Sequence, residues 1–333
     1  MKYKPMNAND AAWRPVRFFC ALILAAGAAA QELPTILRVD VQNWTYYAND
    51  QSDPTKWART TAPVVPVYPA NFYTEIGIMD VIAINGSPAK GVIVIRYQNL
   101  GLTPAVSDLT RGGTIEYLME FLKPDGTSFG SIVALGLAGG TPPAAGALVA
   151  AMGGNNMIVG GSGAFLGARG TVHSAGSRGV RLASQAEDPS MRRINPSGTG
   201  SWLLQIWPTF RPEVLVTPTG PGVFHADFSA VTAEKPAQRG ETLILYAKGL
   251  GFTLPRVDAG DPFPADPLVA VTSPVEVLVN GNPSPAIVQV GVPGTTDTYR
   301  VDFQVPETTE AGMAPIQLSA AWVKGTAVRI PVR

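Results

Sequence analysis

The sequence predicts an all-β protein built as an antiparallel barrel followed by a second, sandwich-like β module. Three observations carry this. Gly (35) and Pro (30) make up roughly a fifth of the 333 residues, against about 12% in an average protein. Val-, Ile- and Thr-rich runs alternate with polar residues at the two-residue period of a strand. Turn dipeptides separate those runs at short, regular intervals.

The first thirty residues are read separately. Lys2, Lys4, Arg14 and Arg17 form a basic stretch, Phe18 to Ala26 an apolar core too short to span a bilayer, and Ala28-Ala29-Ala30 a small-residue cleavage pattern. Residues 1–30 are therefore expected to be a signal peptide, and the protein to be extracytoplasmic: secreted, periplasmic or at the cell surface. The single cysteine, Cys20, lies in that leader behind Phe18 and Phe19, not behind the small residues that a lipoprotein signal requires. The remainder can form no disulfide and offers no thiolate ligand, so an exported chain must rely on the size of its cores.

Strands follow in order. Ile36 to Tyr47 sets Leu37, Val39 and Val41 against Arg38, Asp40 and Gln42. Phe72 to Ile84 and Gly91 to Tyr97 flank Asn85-Gly86-Ser87-Pro88 as a hairpin. Thr114 to Leu122 and Phe129 to Leu137 flank Lys123-Pro124-Asp125-Gly126, and Asn156 to Val159 pairs with Ala168 to His173 across a glycine-rich turn. Ser174 to Thr199 reads as an exposed loop, and Trp202 to Phe210 as the last strand. About eight strands, mostly in hairpins, fill 36–214. Closing them into a barrel removes the sheet edges; a sandwich is the competing architecture. Thr217 to Gly222 marks a boundary, and seven or so short strands over 221–333 suit an immunoglobulin-like sandwich.

Equal numbers of acidic and basic residues, 25 each, argue against a nucleic-acid partner. The two histidines, His173 and His225, fall in different modules, which argues against a histidine-based triad or metal site; neither a metal nor a cofactor is expected. His173 is read as structural and His225 as a solvated loop residue. On Thr114 to Leu122 the two-residue period puts Glu116 and Glu120 on one face and Ile115, Tyr117, Met119 and Phe121 on the other. If the first face lines the barrel, Glu116 and Glu120 are acid–base candidates whose carboxyl pKa burial would raise; otherwise they face water and the aromatic face packs the core. Arg96, Arg169, Asp40 and Glu75 are ligand-binding candidates on the same condition. Trp44, Trp57, Trp202 and Trp207, with Tyr46, Tyr47 and Tyr73, would form either an aromatic ligand platform or core.

The segment Gly160-Gly161-Ser162-Gly163-Ala164-Phe165-Leu166-Gly167-Ala168-Arg169-Gly170 resembles the signature of dirigent proteins and the related allene oxide cyclase-type barrels, G-G-T/S-G-x-F/Y-x-x-A-R-G. The resemblance covers roughly Leu37 to Phe210. It implies an eight-stranded barrel with this segment as a late hairpin, in which Gly160, Gly161, Gly163, Phe165, Gly167, Ala168 and Gly170 are structural. Pocket residues do not carry over, because outside the signature no residue-by-residue match exists. The C-terminal part is similar to an acidobacterial C-terminal module of exported proteins. The matching residues are Pro221-Gly222-Val223-Phe224, Arg239 to Gly251, Pro274 to Val277, Gly281-Asn282-Pro283 and Tyr299 to Pro306. Three functions stand open: a barrel that binds a small hydrophobic or phenolic molecule without catalysis, a cyclase- or dirigent-type enzyme using a barrel carboxylate, and a structural or adhesive surface protein. The C-terminal module would supply contacts to a cell-surface or extracellular partner, and oligomerisation is compatible with each.

Overall fold

Residues 34–50, 73–99, 113–138, 155–195 and 197–333 are described by a computed structural model. The expected leader, Trp57 and the Tyr73 side chain lie outside the described residues. Eight strands close an antiparallel barrel: β1 (Thr35–Asp50), β2 (Tyr73–Ile84), β3 (Lys90–Asn99), β4 (Gly113–Leu122), β5 (Ser128–Ala138), β6 (Asn155–Gly163), β7 (Arg169–Arg178) and, after a short strand β8 (Arg181–Ser184) and a helical turn α1 (Met191–Ile194), β9 (Gly198–Trp207). Each strand pairs with its neighbour, β7 with β9, and β1 closes the ring by pairing with both β9 and β2. The strand alternation has its expected effect. Leu37, Val39 and Val41 on β1, Ile93 and Ile95 on β3, and Tyr117, Met119 and Phe121 on β4 are essentially inaccessible and form one core.

The alternation breaks near the end of β2, where Val81 and Ile84 are both buried, and most consequentially on β1. Asn43 takes a positive φ of 57°, and the register with both neighbours slips there. The bulge reverses the faces of the strand beyond it. Trp44 turns into the barrel, while Thr45 and Tyr47 turn outward, where the Thr45 hydroxyl lies 2.7 Å from that of Ser197 and the Tyr47 hydroxyl donates to the Pro189 carbonyl at 3.2 Å.

Those partners belong to the stretch expected to be an exposed loop, and the structure corrects that expectation. β7 continues to Arg178, β8 adds in parallel to β1, and the segment is fastened by Arg192. This buried guanidinium pairs with Asp80 at 2.7 Å, and Arg193 reaches the same carboxylate at 2.8 Å. Burial alone would raise the Asp80 pKa; hydrogen bonds from Arg193, Asn43 and Arg192 outweigh it and hold the carboxyl at about 2.

The glycine-rich segment is the β6–β7 hairpin. Phe165 folds under the barrel and meets Phe121 edge-on at 5.6 Å and Phe129 at 6.2 Å. Gly170 has φ 152°, and a Cβ there would collide with the Gln205 carbonyl of β9, so the residue fits only as glycine. Gly163 (φ 60°) is also crowded: a Cβ there would collide with the Phe129 carbonyl.

The second module is one curled antiparallel sheet with sandwich-like packing. Its main strands are β10 (Thr242–Lys248), β11 (Val275–Val279), β12 (Asn282–Gly291), β13 (Tyr299–Gln304), β14 (Gly312–Ala320) and β15 (Val328–Val332), ordered β10-β13-β12-β11-β14-β15. The long β12 pairs with β11 through its first half and β13 through its second, linking the two halves. Leu243, Leu245, Val277, Val279, Val301, Phe303, Ile316 and Leu318 fill the interior. His225, expected to be solvated, is buried, with Nδ1 at 2.6 Å from the Glu241 carboxylate and Nε2 at 3.1 Å from the Lys235 carbonyl.

The modules share a core. After β14 the chain reverses through Ala321 and Trp322, and Ala320 then pairs with Val323. Ala321 and Val323 join the barrel core, and Trp322 packs on Phe129 at 6.1 Å.

Candidate functional site

The two barrel ends differ in how their strands are joined. At the base, β2 to β3, β4 to β5 and β6 to β7 are joined by short connections, and the second module packs against this end. At the opposite end, the mouth, the connections β1 to β2, β3 to β4 and β5 to β6 run through residues 51–72, 100–112 and 139–154, which lie outside the described residues.

Inward-facing side chains change character toward the mouth. The middle of the barrel holds Met79, Ile93, Ile95, Met119 and Leu204, all closed to solvent. Above them sit Trp44, Trp202 and Tyr117, with Trp202 at 5.2 Å from Trp44 and 5.3 Å, edge-on, from Tyr117. Missing side chains make room for these rings. The benzo edge of Trp44 occupies the space a Cβ on Gly200 would need, and the Tyr46 ring does the same over Gly77. Asn156 is buried and its Nδ2 donates to the Tyr117 hydroxyl at 3.0 Å. Burial pushes the Tyr117 phenol up, so it stays protonated across the ordinary pH range.

Glu75 is buried at 9% exposure and stands directly across the strand pair from Tyr97. Tyr97 in turn faces Ile115, and that row continues through Gly136 to Asn156. Tyr46, Tyr97 and Ile115 are half-buried. The mouth therefore presents a partly accessible aromatic layer over a closed floor. A carboxylate, a phenol and a carboxamide lie in its walls, an arrangement suited to holding a ring compound with one or two polar substituents.

The expected site residues separate accordingly. Glu75 is the interior candidate. Glu116 and Glu120 lie on the outer face of β4, because the inward positions belong to Tyr117, Met119 and Phe121, so the condition for an interior acid–base pair is not met. Glu116 accepts the Arg96 Nε–H at 2.7 Å on the outer wall. Asp40 is also outside, accepting hydrogen bonds from Arg38 at 2.9 Å and Ser201 at 2.6 Å. Arg169 does not face a pocket; its guanidinium donates to the Val159 and Ala168 carbonyls and ties β6 to β7. Of the aromatic set, Trp44, Tyr46 and Trp202 gather in the mouth, while Tyr47 is outside. His173 is exposed, and no group of metal-ligating side chains occurs among the described residues. Tyr117, Tyr97 and Asn156 were not among the expected site residues. The alternation on β4 already placed Tyr117 with the core face, but a lone Asn in an apolar strand gives no sequence signal of its own.

The outer wall of β4, β5 and β6 carries Leu118, Leu135, Leu137, Met157 and Val159, each at least 39% exposed. A depression of about 610 Å³ at the mouth end of these strands is lined by Arg96, Gln98, Thr114, Glu116 and Leu135 and also by Tyr97, Ile115 and Gly136 of the mouth row. No protein-family model matches the sequence, and no curated protein is detectably similar to it.

Proposed function

We propose that the protein is an exported binding barrel that takes a small phenolic or otherwise ring-bearing hydrophobic ligand at its mouth. The observation that carries this reading is that, among the described residues, the inward polar groups Glu75, Tyr117 and Asn156 lie beside half-accessible rings near the mouth. The closed interior beneath makes the site shallow, so the ligand lies among Tyr46, Tyr97 and Ile115. The leader pattern supports export, and the signature hairpin supports kinship with dirigent-type barrels. The test is a thermal-shift and calorimetric comparison of 4-propylphenol with propylbenzene on the whole protein. The phenol is expected to raise Tm more, and Glu75→Gln to reduce that advantage. Equal silence from both compounds overturns the reading.

A second reading, a surface-interaction protein, is favoured by the apolar outer wall of β4–β6, since contiguous exposed apolar side chains mark contact surfaces.

A further inference from the structure

The hairpin joining the second module to the barrel is strained. Ala321 and Trp322 both have positive φ, 47° and 65°, in a two-residue turn whose usual residues are Asn and Gly. A bulky residue in this region is an outlier, and such strain collects at ligand clamps. Trp322 is half-buried and forms one wall of a cleft of about 290 Å³ between barrel base and second module. Small-molecule sites run from about 300 to 1,000 Å³ and favour module junctions.

The cleft has two charged lips of opposite sign. Its apolar lining includes Trp322, Leu122, Pro88 and Phe129; Lys123 stands at the barrel side and Glu276, on β11, at the other. Neither charged side chain is hydrogen-bonded or ion-paired with another described residue. Asp125, in the same turn as Lys123, accepts the Thr127 amide at 2.8 Å, which with the nearby Lys123 and Lys90 charges holds its carboxyl below the ordinary range; Lys123 makes no hydrogen bond to it.

We infer that this junction cleft is a binding site for a small apolar zwitterion, an amino acid or short peptide whose ring or aliphatic group lies on Trp322. Its carboxylate meets Lys123 and its ammonium meets Glu276. Charge complementarity sets the orientation and the indole supplies the contact area. The site is separate from the mouth and does not depend on it.

Calorimetric titration of the whole protein with L-phenylalanine, the dipeptide Phe-Phe, phenylacetate and phenethylamine tests the assignment. One of the two zwitterions is expected to bind roughly tenfold more tightly than either single-charge analogue, since a charge-assisted contact is worth about that much. Lys123→Ala should reduce the zwitterion to the level of phenethylamine and leave phenethylamine unchanged; Glu276→Gln should do the converse with phenylacetate. Both residues are on the surface, so both variants should fold. Binding should survive Glu75→Gln at the mouth. No zwitterion binding to the unaltered protein, or binding indifferent to both substitutions, overturns the inference.

Discussion

The base and the mouth of the barrel enclose the same core with different materials. At the base, Phe121 stacks on Phe129, Phe165 packs against both at steeper angles, and Trp322 adds a fourth ring from the second module. The rings that meet there are all apolar, and the connecting turns are short. At the mouth, rings of similar size are mixed with Glu75, Tyr117 and Asn156, and Tyr46 and Tyr97 keep part of their surface accessible. The difference teaches a division of labour. Buried apolar area stabilises most at the base, whereas the polar groups of the mouth lose solvation and give back little stability. Proteins accept that loss where a site needs it.

The contrast can be broken by measurement. Its largest expected effect is Phe165→Ala, which empties the aromatic base and should cost about 3–5 kcal/mol by denaturant titration. Tyr97→Ala at the mouth should cost about 1 kcal/mol; comparable losses would show the two ends to be equally important for stability. Next, Gly170→Ala forces a side chain against the Gln205 carbonyl at an unfavourable φ, and should cost about 1–3 kcal/mol from backbone strain alone. A neutral outcome would mean that β7 and β9 can separate freely.

Asp80 sharpens the comparison from the side wall. Its folded pKa of about 2 lies below the ordinary 3.8, so its contribution is present above pH 4 and lost as pH falls from about 4 to about 2. The contribution is about 2 kcal/mol. Asp80→Asn should remove that share of the acid dependence, and hydrogen exchange should rise first in residues 181–195. Smallest of all, Glu75→Gln should shift stability by less than about 1 kcal/mol while weakening phenol binding. A large destabilisation would make Glu75 a structural group and count against the mouth as a site.

The strands and their two-residue period were legible from residue alternation, but which face points inward stayed open until the structure showed that Leu37, Val39 and Val41 face in while Arg38 and Asp40 face out. The placement of Glu116 and Glu120 followed from the same period once Tyr117, Met119 and Phe121 were known to be core. Three features had no such signal. The bulge at Asn43 reverses parity without a glycine to announce it, so Trp44 and Tyr46 could not be assigned a face. Arg192 and Asp80 are far apart in the chain, so a polar segment that is fastened down reads the same as one that is free. Ala321-Trp322 lacks the Asn-Gly chemistry of a tight hairpin, and nothing in its composition shows that it inserts into another module. The mouth was partly legible, since Glu75 stood among the interior candidates but Asn156 did not.

That insertion has a consequence for how the protein is made. The residues that finish the base of the barrel, Ala321 and Val323, emerge from the ribosome long after the barrel strands themselves. Until they arrive, Phe129 has no indole above it, and the sheet closes over an incomplete floor. A truncated chain therefore carries its own mark of incompleteness, an open aromatic patch available to chaperones and proteases.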